Sequence, residues 1–540
     1  MRHSFPFLAA IALFAASCSG PGRPAGKTVF RYNEAAGITS LDPAFARDQA
    51  IIWATNQLYN GLVQLDEEME VRPCIASRWD VSPDGREYLF HLRSDVFFHD
   101  SRAFPGGKGR RVRASDFVYS FGRITDRSVA SPGAWIFNNA DTGRSGGAFT
   151  AINDSTLSVR LRRPFPPFLR MLSMQYCSVV PEEAVRYFGP DFRGNPVGTG
   201  PFRLGTWTEG IKLVLLRNER YFETDGDEHL PHLDAVAITF VPDRQSAFLE
   251  FLKGNIDMMS GIDPTYKDEL LTPDGRLREV YAGKINLLTR PYLNTEYLGF
   301  VVAPSSGTGR VVPKGVRRAV NMSFDRVKMI RYLRNNIGIP GLQGITPAGL
   351  PSFDRSKQHY RYDPEAARRE LASAGYPGGR GLPALTLTST PDYLDICKYV
   401  QHQAAAIGIN LEIDVNQPAA VKEMKAAARL PFFRASWIAD YPDAENYLSM
   451  FLTRNFCPGG PNYTHYSNPE FDRLYDLAMV TTNDSIRYSI YRTMESIMME
   501  EAPVVVLYYD QVLRFVRKDV EGLGINPMNL LTLKYVRKKS

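Results

Sequence analysis

The stretch LPFFRASWIAD, residues 430–440, reads as a short apolar strand that ends in a single carboxylate, Asp440. Open α/β sheets bind their ligands at the carboxyl ends of parallel strands. If residues 432–438 form one strand of such a sheet, Asp440 lies at the edge where a ligand is expected. A carboxylate partly removed from water needs hydrogen-bond donors or a cation, so this residue predicts a cationic binding partner.

The sequence before this strand predicts two more parallel strands with helices between them. Apolar residues alternate in ALTLTS and INLEIDV, whereas they recur at helical spacing at Ile396, Val400 and Ile407. Crossovers from a strand through a helix to a parallel strand are almost always right-handed. We therefore predict an α/β fold, with strands over 384–389, 409–415 and 432–438 and helices over 394–407 and 421–428.

Length and composition indicate a large globular protein. The chain has 540 residues, of which 44% are hydrophobic, and a formal net charge of +6. At about 100 to 200 residues per domain, this length predicts two to four domains. The charge is too small for a chain of this size to indicate a nucleic-acid partner.

The N-terminal residues have the pattern of an export signal. Arg2 precedes an apolar run over 7–16, which is too short to cross a bilayer, and residues 1–17 are predicted to be a signal peptide. Residues 15–18, AASC, resemble a bacterial lipoprotein processing site, so Cys18 is predicted to carry a lipid. The alternative is cleavage nearby that leaves a free soluble protein. Residues 18–27 are glycine- and proline-rich and are predicted to form a tether.

Cysteines and known active-site motifs give little sign of redox chemistry or catalysis. Four cysteines follow Cys18, and an exported chain could pair them in three ways or leave some free: Cys74, Cys177, Cys397 and Cys457. The chain contains no CxxC or HExxH motif. We therefore predict neither an enzyme nor a metal or cofactor site.

Two local signals predict ordinary scaffold elements. Pro83, Asp84 and Gly85 form a turn sequence between two strand-like runs, which predicts a hairpin. Asp363 followed by Pro364 is typical of a helix start, and Gly375 is typical of its end.

Several longer phrases occur in a fixed order along the chain, beginning with RPCIASRWDVSPDGREYLFHLRSDVFFHD at 72–100 and ASDFVYSFGRI at 114–124. They continue with PVGTGPFRL at 196–204, LKGNIDMM at 252–259, YDPEAARRELASAGY at 362–376 and SWIADYPDAENYL at 436–448. Together they resemble the solute-binding proteins of the peptide/nickel class that serve ABC importers. That family includes the dipeptide and oligopeptide binding proteins.

The resemblance implies a two-lobed periplasmic-binding-protein fold with a hinge and an extra domain on the first lobe. The first lobe would contain residues 28–60, 196–295 and 505–540. The extra domain would contain residues 61–195 and the second lobe residues 296–504. Relative to the family, residues 101–113 hold a basic insertion around Lys108, which is predicted to be an exposed loop or, alternatively, a contact for lipid headgroups or an acidic partner.

The resemblance also assigns three ligand-binding residues. Asp440, in the motif WxxD, matches the carboxylate that pairs with the α-ammonium group of a bound peptide. Trp437 matches an aromatic residue that lines a side-chain pocket, and Arg434 matches an arginine for the terminal carboxylate of the ligand. The alternatives are a turn-forming aspartate, a core tryptophan and a structural salt bridge, respectively.

As a function, the resemblance implies the substrate-binding component of an ABC importer, which captures short oligopeptides between two closing lobes. Its partners would be the permease subunits and, through the lipid anchor, a membrane. The protein would be a monomer in the periplasm or on the cell surface. The alternative function keeps the fold and carries a non-peptide cargo, such as a nickel chelate, haem or an oligosaccharide.

Overall fold

The computed structural model describes residues 27–143, 147–261, 263, 266–303 and 311–539. The predicted signal peptide over 1–17 and the predicted lipid site at Cys18 lie outside the described residues. Of the predicted tether, only Lys27 lies within them.

The strands alternate with helices along much of the chain. The strands are β1 (Val29–Asn33), β2 (Val63–Leu65), β3 (Val71–Pro73), β4 (Ala76–Val81), β5 (Glu87–Leu92), β6 (Phe149–Asn153), β7 (Thr156–Arg160), β8 (Phe202–Thr208), β9 (Lys212–Arg217), β10 (Thr224–Asp225), β11 (Glu228–His229), β12 (Ala235–Thr239), β13 (Met258–Ser260), β14 (Ile285–Phe300), β15 (Ile339–Pro340), β16 (Leu385–Ser389), β17 (Leu411–Val415), β18 (Phe432–Ile438), β19 (Val504–Arg517), β20 (Val520–Glu521) and β21 (Arg537–Lys538).

The α-helices range from single turns to one of 18 residues. They are α1 (Gln49–Leu58), α2 (Ala114–Thr125), α3 (Phe168–Met171), α4 (Glu182–Phe188), α5 (Arg244–Lys253), α6 (Lys267–Leu270), α7 (Glu279–Ala282), α8 (Lys314–Met322), α9 (Arg326–Leu333), α10 (Pro364–Ser373), α11 (Leu394–Ala405), α12 (Pro418–Ala426), α13 (Glu445–Leu448), α14 (Pro469–Val480) and α15 (Asp484–Glu501). Within the described ranges, no helix combines the length and the apolar character needed to cross a membrane.

The predicted β-α-β-α-β unit is present. β16 pairs in parallel with both β17 and β18, and β18 has the predicted bounds. α12 begins at Pro418, three residues before the predicted start, because proline suits the first turn of a helix. α11 ends at Ala405, and the chain then turns through Gly408, whose φ is +95°. A Cβ atom there would lie 2.3 Å from the carbonyl oxygen of Gly378, so glycine is required.

This unit is one end of a mixed sheet that, in the described part of the chain, has 11 strands. The strand order is β17-β16-β18-β14-β19-β13-β1-β12-β9-β8, with β15 paired to β19. We call the part built on β1, β8, β9, β12 and β13 the first lobe and the part built on β16, β17 and β18 the second lobe. The long strands β14 and β19 belong to both, so the fold has the predicted two lobes.

The pairing of β14 with β19 is irregular where the strands pass from one lobe to the other. Pro291 lies opposite Gln511 and Thr295 lies opposite Tyr509, so three residues of β14 face the single residue Asp510. Such a bulge bends the strands and increases their local twist. The side chain of Tyr292 lies in this bulge, at the boundary between the lobes.

Each face of the second-lobe sheet has its own hydrophobic core. Phe433 and Ala435 pack with residues of α14 and α15 on one face, whereas Phe432 packs with residues of α8 and α11 on the other. Successive strand residues point to opposite faces, so this alternation follows from the apolar run of β18. The run that suggested a strand therefore also supplies both cores.

A second sheet, with the order β4-β5-β7-β6, lies between the two first-lobe segments of the chain. The predicted hairpin at residues 83–85 joins β4 to β5, and Gly85 adopts a φ of +67°. Phe90 of this sheet and Phe121 of α2 belong to the same buried cluster as Phe30 of β1. The additional sheet is thus packed onto the first lobe through one continuous core.

The basic insertion over 101–113 is held by ion pairs within the protein. The Arg110 guanidinium lies 2.7 Å from an Asp116 oxygen and 2.6 Å from a Glu183 oxygen, and Lys108 lies 2.9 Å from Asp100. These carboxylates neutralise two of the basic side chains in the segment. Less free charge is therefore available for lipid or protein contacts than the sequence suggested.

The four cysteines of the described chain are all buried and unpaired, which resolves the alternatives left open by the sequence. Burial raises the pKa of the Cys74 thiol to about 12. A thiol with such a pKa is protonated and unreactive at neutral pH.

Candidate functional site

A cavity of about 260 Å³ lies between the lobes, next to Asp440. The first lobe and its additional domain contribute α1 residues and the segment 173–176. The second lobe contributes the segment 438–442, and Tyr292 comes from the bulge of β14. A further wall is formed by residues 528–530. Because its walls come from both lobes, the cavity has the position expected for a ligand between them.

Asp440 is placed by the strand end and by one amide side chain. It follows the last residue of β18 by two positions, at the carboxyl end of this parallel strand. Its backbone N–H donates to Asn446 Oδ1 at 3.2 Å, and Asn446 Nδ2 donates to Asp440 Oδ2 at 3.4 Å. Asn446, in the short helix α13, is only 5% exposed. A buried amide, bonded to both the backbone and the side chain of Asp440, thus orients the carboxylate in the cavity wall.

The electrostatic environment of Asp440 is that of an uncompensated anion. Surrounding protein raises the pKa of this carboxyl, and only the Asn446 amide acts in the opposite direction. No described Lys, Arg or His forms an ion pair with it. Asp440 is nevertheless an exposed residue. The wall of the cavity also contains Arg47, which lies 3.3 Å from Asp48. Within the described residues, the Asp440 carboxylate therefore has no ion-pair partner of its own.

Trp437 lies on the side of β18 that faces the second-lobe core. It is half-buried against that core, and its indole N–H donates to Asn446 Oδ1 at 2.8 Å. It does not line the cavity next to Asp440. Trp437 and Asp440 are thus connected through one amide, which sequence reasoning missed. Asn446 lies only six residues after Asp440, in the phrase DAENYL, and this proximity was the available signal.

Arg434 lies on the opposite side of β18 from Trp437. Its guanidinium forms an ion pair with Glu296 of β14 and lies over the ring of Tyr393. The side chains of Arg434 and Glu296 are 11% and 2% exposed. The structure thus contains a salt bridge at this position, the alternative that the sequence left open. Arg434 likewise does not line the cavity next to Asp440.

A second cavity, of about 430 Å³, continues from the first toward the first lobe. The two cavities share four wall residues: Gln49, Trp53, Tyr292 and Asn529. The Trp53 indole N–H donates to the Asn529 carbonyl oxygen at 2.8 Å, which fixes this common wall. Burial raises the pKa of Tyr292 to about 12, so its hydroxyl is neutral and can both donate and accept hydrogen bonds.

Four charged side chains of the described residues line the second cavity, and three of them belong to ion pairs. Arg244 lies 2.7 Å from Asp263, and Asp510 lies 2.8 Å from Arg334. The fourth is Glu34, which directly follows β1. Glu34 Oε1 accepts a hydrogen bond from the Ala36 N–H at 3.3 Å.

Glu34 resembles Asp440 in its surroundings. Burial raises the pKa of the Glu34 carboxyl, and the Ala36 amide is the only group that opposes this shift. No ion pair joins it to a Lys, Arg or His within the described chain. The combined space between the lobes is therefore bounded by two unpaired carboxylates, one from each lobe.

A third cavity, of about 240 Å³, adjoins the first at residues Leu65, Met174 and Gln175. Lys534 lines it and is paired with Glu223, and both side chains are nearly buried. The charge of this lysine is thus already neutralised inside the protein. Its wall also contains Glu67 and the ion pair of Asp66 with Arg72, at 2.8 Å.

Comparisons with known proteins agree with this architecture. The model of the bacterial extracellular solute-binding proteins, family 5 (middle), matches residues 70–456. The chain is 24% identical over 486 residues to the dipeptide-binding protein of Escherichia coli (strain K12), covering 87% of each chain. It is 26% identical over 499 residues to the glutathione-binding protein GsiB of Shigella dysenteriae serotype 1 (strain Sd197), covering 91% of this chain and 90% of that protein.

Among solved structures, the chain resembles the ABC transporter-associated periplasmic binding protein DppA of Helicobacter pylori, in complex with the peptide STSA. The TM-score is 0.75 at 25% identity, over 95% of this chain and 98% of that one. The fold and the site thus define an extracytoplasmic solute-binding protein rather than an enzyme. This chain belongs to family 5 of the bacterial extracellular solute-binding proteins.

Within the described residues, no group of three or more His, Cys, Asp or Glu side chains is arranged to hold a metal ion.

Proposed function

We propose that this protein is the substrate-binding component of an ABC importer and that it captures short oligopeptides between its lobes. Asp440 binds the α-ammonium group of the peptide. The observation that carries the proposal is the unpaired Asp440 carboxylate in the wall of a cavity between the lobes. The related proteins named for dipeptides and for glutathione, and the relative solved with the peptide STSA, support a peptide cargo.

The chemistry favours an amine-bearing ligand. A peptide ammonium group would remove the cost of keeping Asp440 charged while lobe closure takes water away. The resulting hydrogen bonds join two charged groups and contribute about 1.5–3 kcal/mol. The alternative cargoes are a nickel chelate, haem and an oligosaccharide. They are supported less well, because a neutral or anionic cargo leaves the carboxylate without a partner.

Trp437 and Arg434 enter the proposal differently from Asp440. Trp437 positions Asn446, which orients the Asp440 carboxylate. Direct contacts of Trp437 or Arg434 with cargo require a ligand that extends beyond the Asp440 cavity. For Arg434 such a contact would also compete with its ion pair to Glu296.

We further propose the processing and location that the sequence predicts. Removal of residues 1–17 exposes Cys18, which is lipidated, and residues 18–27 separate the folded body from a membrane. The protein then acts as a monomer, in the periplasm or on the cell surface, and delivers cargo to permease subunits. The same proposal includes the predicted lobe boundaries. The first lobe contains residues 28–60, 196–295 and 505–540, and the second lobe contains residues 296–504. Mass spectrometry of the mature N-terminus tests the lipid.

The cargo proposal is tested by identifying co-purified ligands with native mass spectrometry and by calorimetry with tri-alanine. We expect Asp440→Asn to weaken tri-alanine binding by about 10- to 100-fold. N-acetylated tri-alanine, which has no ammonium group, should bind the unmodified protein as weakly as tri-alanine binds the variant.

The matched control is Asp227→Asn, an exposed aspartate in the turn between β10 and β11. It removes the same charge far from the cavity walls and should leave the affinity unchanged. Equal binding of tri-alanine by the Asp440 variant and the unmodified protein would refute the anchor role of Asp440.

A further inference from the structure

We propose that the cargo carries a second cationic group, a lysine- or arginine-like side chain, which binds Glu34 in the cavity on the first-lobe side. This inference rests on the proposed function, because it assigns a substrate class to the same interlobe space. The inference follows from the charged side chains that line the second cavity, of which only Glu34 lacks an ion pair within the described residues. No single sequence motif indicated this arrangement.

The position of Glu34 mirrors that of Asp440. β1 pairs in parallel with β12 and β13, and Glu34 is the first residue after its carboxyl end. Asp440 follows the carboxyl end of β18 in the other lobe. Each lobe thus presents one carboxylate where parallel strands place ligand-binding groups. The common wall of Trp53 and Tyr292 joins the spaces in front of them.

Among the described residues, the other charged groups that line the second cavity with Glu34 already belong to ion pairs. Arg244, the arginine that lines the second cavity, is paired with Asp263, and Asp510 is paired with Arg334. The Ala36 amide is the hydrogen-bond donor to Glu34. Arg47, in the wall of the first cavity, lies 3.3 Å from Asp48 and does not line the second cavity. An amine at Asp440 supplies one further positive charge, which still leaves Glu34 unmatched when the lobes close. Burial of an unpaired carboxylate is costly, so a cargo with a second cation is favoured over a neutral one of similar size.

The second cavity has room for such a side chain. Its volume of about 430 Å³ is larger than that of the cavity next to Asp440. Its walls include Met258, Met259 and Tyr266, which can cover the methylene groups of a lysine-like stem while the ammonium group reaches the carboxylate.

The test compares lysine with norleucine, which has a similar stem and no charge. Calorimetry measures tri-alanine and tripeptides in which each alanine in turn is replaced by lysine or by norleucine. At one position or more, we expect lysine to bind about tenfold tighter than norleucine. Glu34→Gln should reduce this ratio to near one and leave tri-alanine binding within about twofold.

Two controls separate the possible explanations. Glu412→Gln removes an exposed carboxylate on β17, outside both cavities, and should leave the lysine-to-norleucine ratio unchanged. Asp440→Asn should weaken all the peptides together and preserve the ratio. Circular dichroism tests whether each variant is folded. Glu34→Asp, which retains the charge, should retain part of the preference for lysine over norleucine.

A ratio near one in the unmodified protein at every position, or a preference that survives Glu34→Gln, overturns this inference. If tri-alanine still binds in either case, the proposed peptide function stands without it. If no tripeptide binds at all, the proposed function itself fails, and the assignment of Glu34 fails with it.

Discussion

Two carboxylates on adjacent strand segments of the second lobe have opposite surroundings. Glu296 of β14 lies opposite Ser436 of β18, is 2% exposed and forms an ion pair with Arg434. Asp440, four residues beyond Ser436, has no cation and lies beside a cavity. The first is neutralised by the protein and belongs to its framework. The second has no ion-pair partner among the described residues, as the proposed ammonium site requires.

A third carboxylate shows another way to accommodate charge. Glu445, in α13, is 3% exposed and accepts hydrogen bonds from the hydroxyl groups of Tyr441 and Tyr475. Burial raises the pKa of Glu445 to about 7. In this part of the second lobe, therefore, Glu296 is paired with arginine, Glu445 takes up a proton near neutral pH, and Asp440 has no ion-pair partner among the described residues.

The largest effect is expected when the paired carboxylate is removed. Glu296→Gln leaves the nearly buried Arg434 without an anion and should lower the free energy of unfolding by about 3–5 kcal/mol. Urea denaturation measures this change. Adding Arg434→Met to the same variant removes the stranded charge and should restore at least half of the loss. A single variant as stable as the unmodified protein would contradict a structural role for the pair.

The protonated carboxylate predicts a pH dependence of stability. Because the folded-state pKa of Glu445 is about 7, against 4.5 for free glutamate, its favourable contribution is complete below about pH 4.5 and is lost as the pH rises through 7. The loss amounts to about 3 kcal/mol at high pH. Thermal unfolding between pH 5 and pH 8 measures it.

Glu445→Gln should flatten this part of the profile. Burial also raises the pKa of Glu495 to about 7. Glu495 therefore adds the same pH dependence of stability to the variant and to the unmodified protein, and only the difference between the two profiles reports on Glu445. Parallel profiles for the variant and the unmodified protein would show that Glu445 is already ionised in the folded state at neutral pH.

The amide that orients the open carboxylate should affect both stability and binding. Asn446→Ala leaves the Trp437 indole N–H without its acceptor, which costs about 1–3 kcal/mol of stability. With Asp440 no longer held, tri-alanine affinity should fall about tenfold. The control is Asn410→Ala, at an exposed position before β17. Unchanged affinity in the Asn446 variant would show that Asp440 is positioned by the backbone alone.

The smallest effect concerns the stability cost of Asp440 itself. Its folded-state pKa is raised above the ordinary 3.8, so the unmodified protein loses stability relative to Asp440→Asn as the pH rises through that range. The difference should stay below about 1 kcal/mol, because the carboxylate still reaches water. Chemical denaturation at pH 3.5 and pH 7 measures it, and a variant less stable at pH 7 would contradict the account.

Sequence reasoning gave the β18 region accurately for a physical reason. The alternation of ALTLTS and the apolar run before Asp440 reflect burial, and burial is what periodicity records. The hairpin at Gly85 and the helix start at Asp363 were also predictable, because turn and cap geometry demands particular residues. Asp363 Oδ1 accepts from the Ala366 N–H at 2.8 Å, as a helix cap should.

The rest depended on contacts between distant parts of the chain. The ion-pair partner of Arg434 is Glu296, which is 138 residues away in the sequence. No local sequence pattern predicts this pair. Glu34 stands out only when three other charged groups of its cavity are seen to be neutralised. Asn446 is close in sequence to Asp440. Its hydrogen bonds to both Asp440 and Trp437, however, depend on the turn through Tyr441 and Pro442. Charge balance in a folded site is a property of the tertiary structure.

The strands β14 and β19 have a consequence for how the protein folds. Residues 504–517 lie near the end of the chain, yet they complete the sheet in both lobes, pairing Val505 with Leu298 and Val516 with Met258. Neither lobe therefore has its complete sheet before residues 504–517 are in place. Folding of the two lobes is coupled through this one strand.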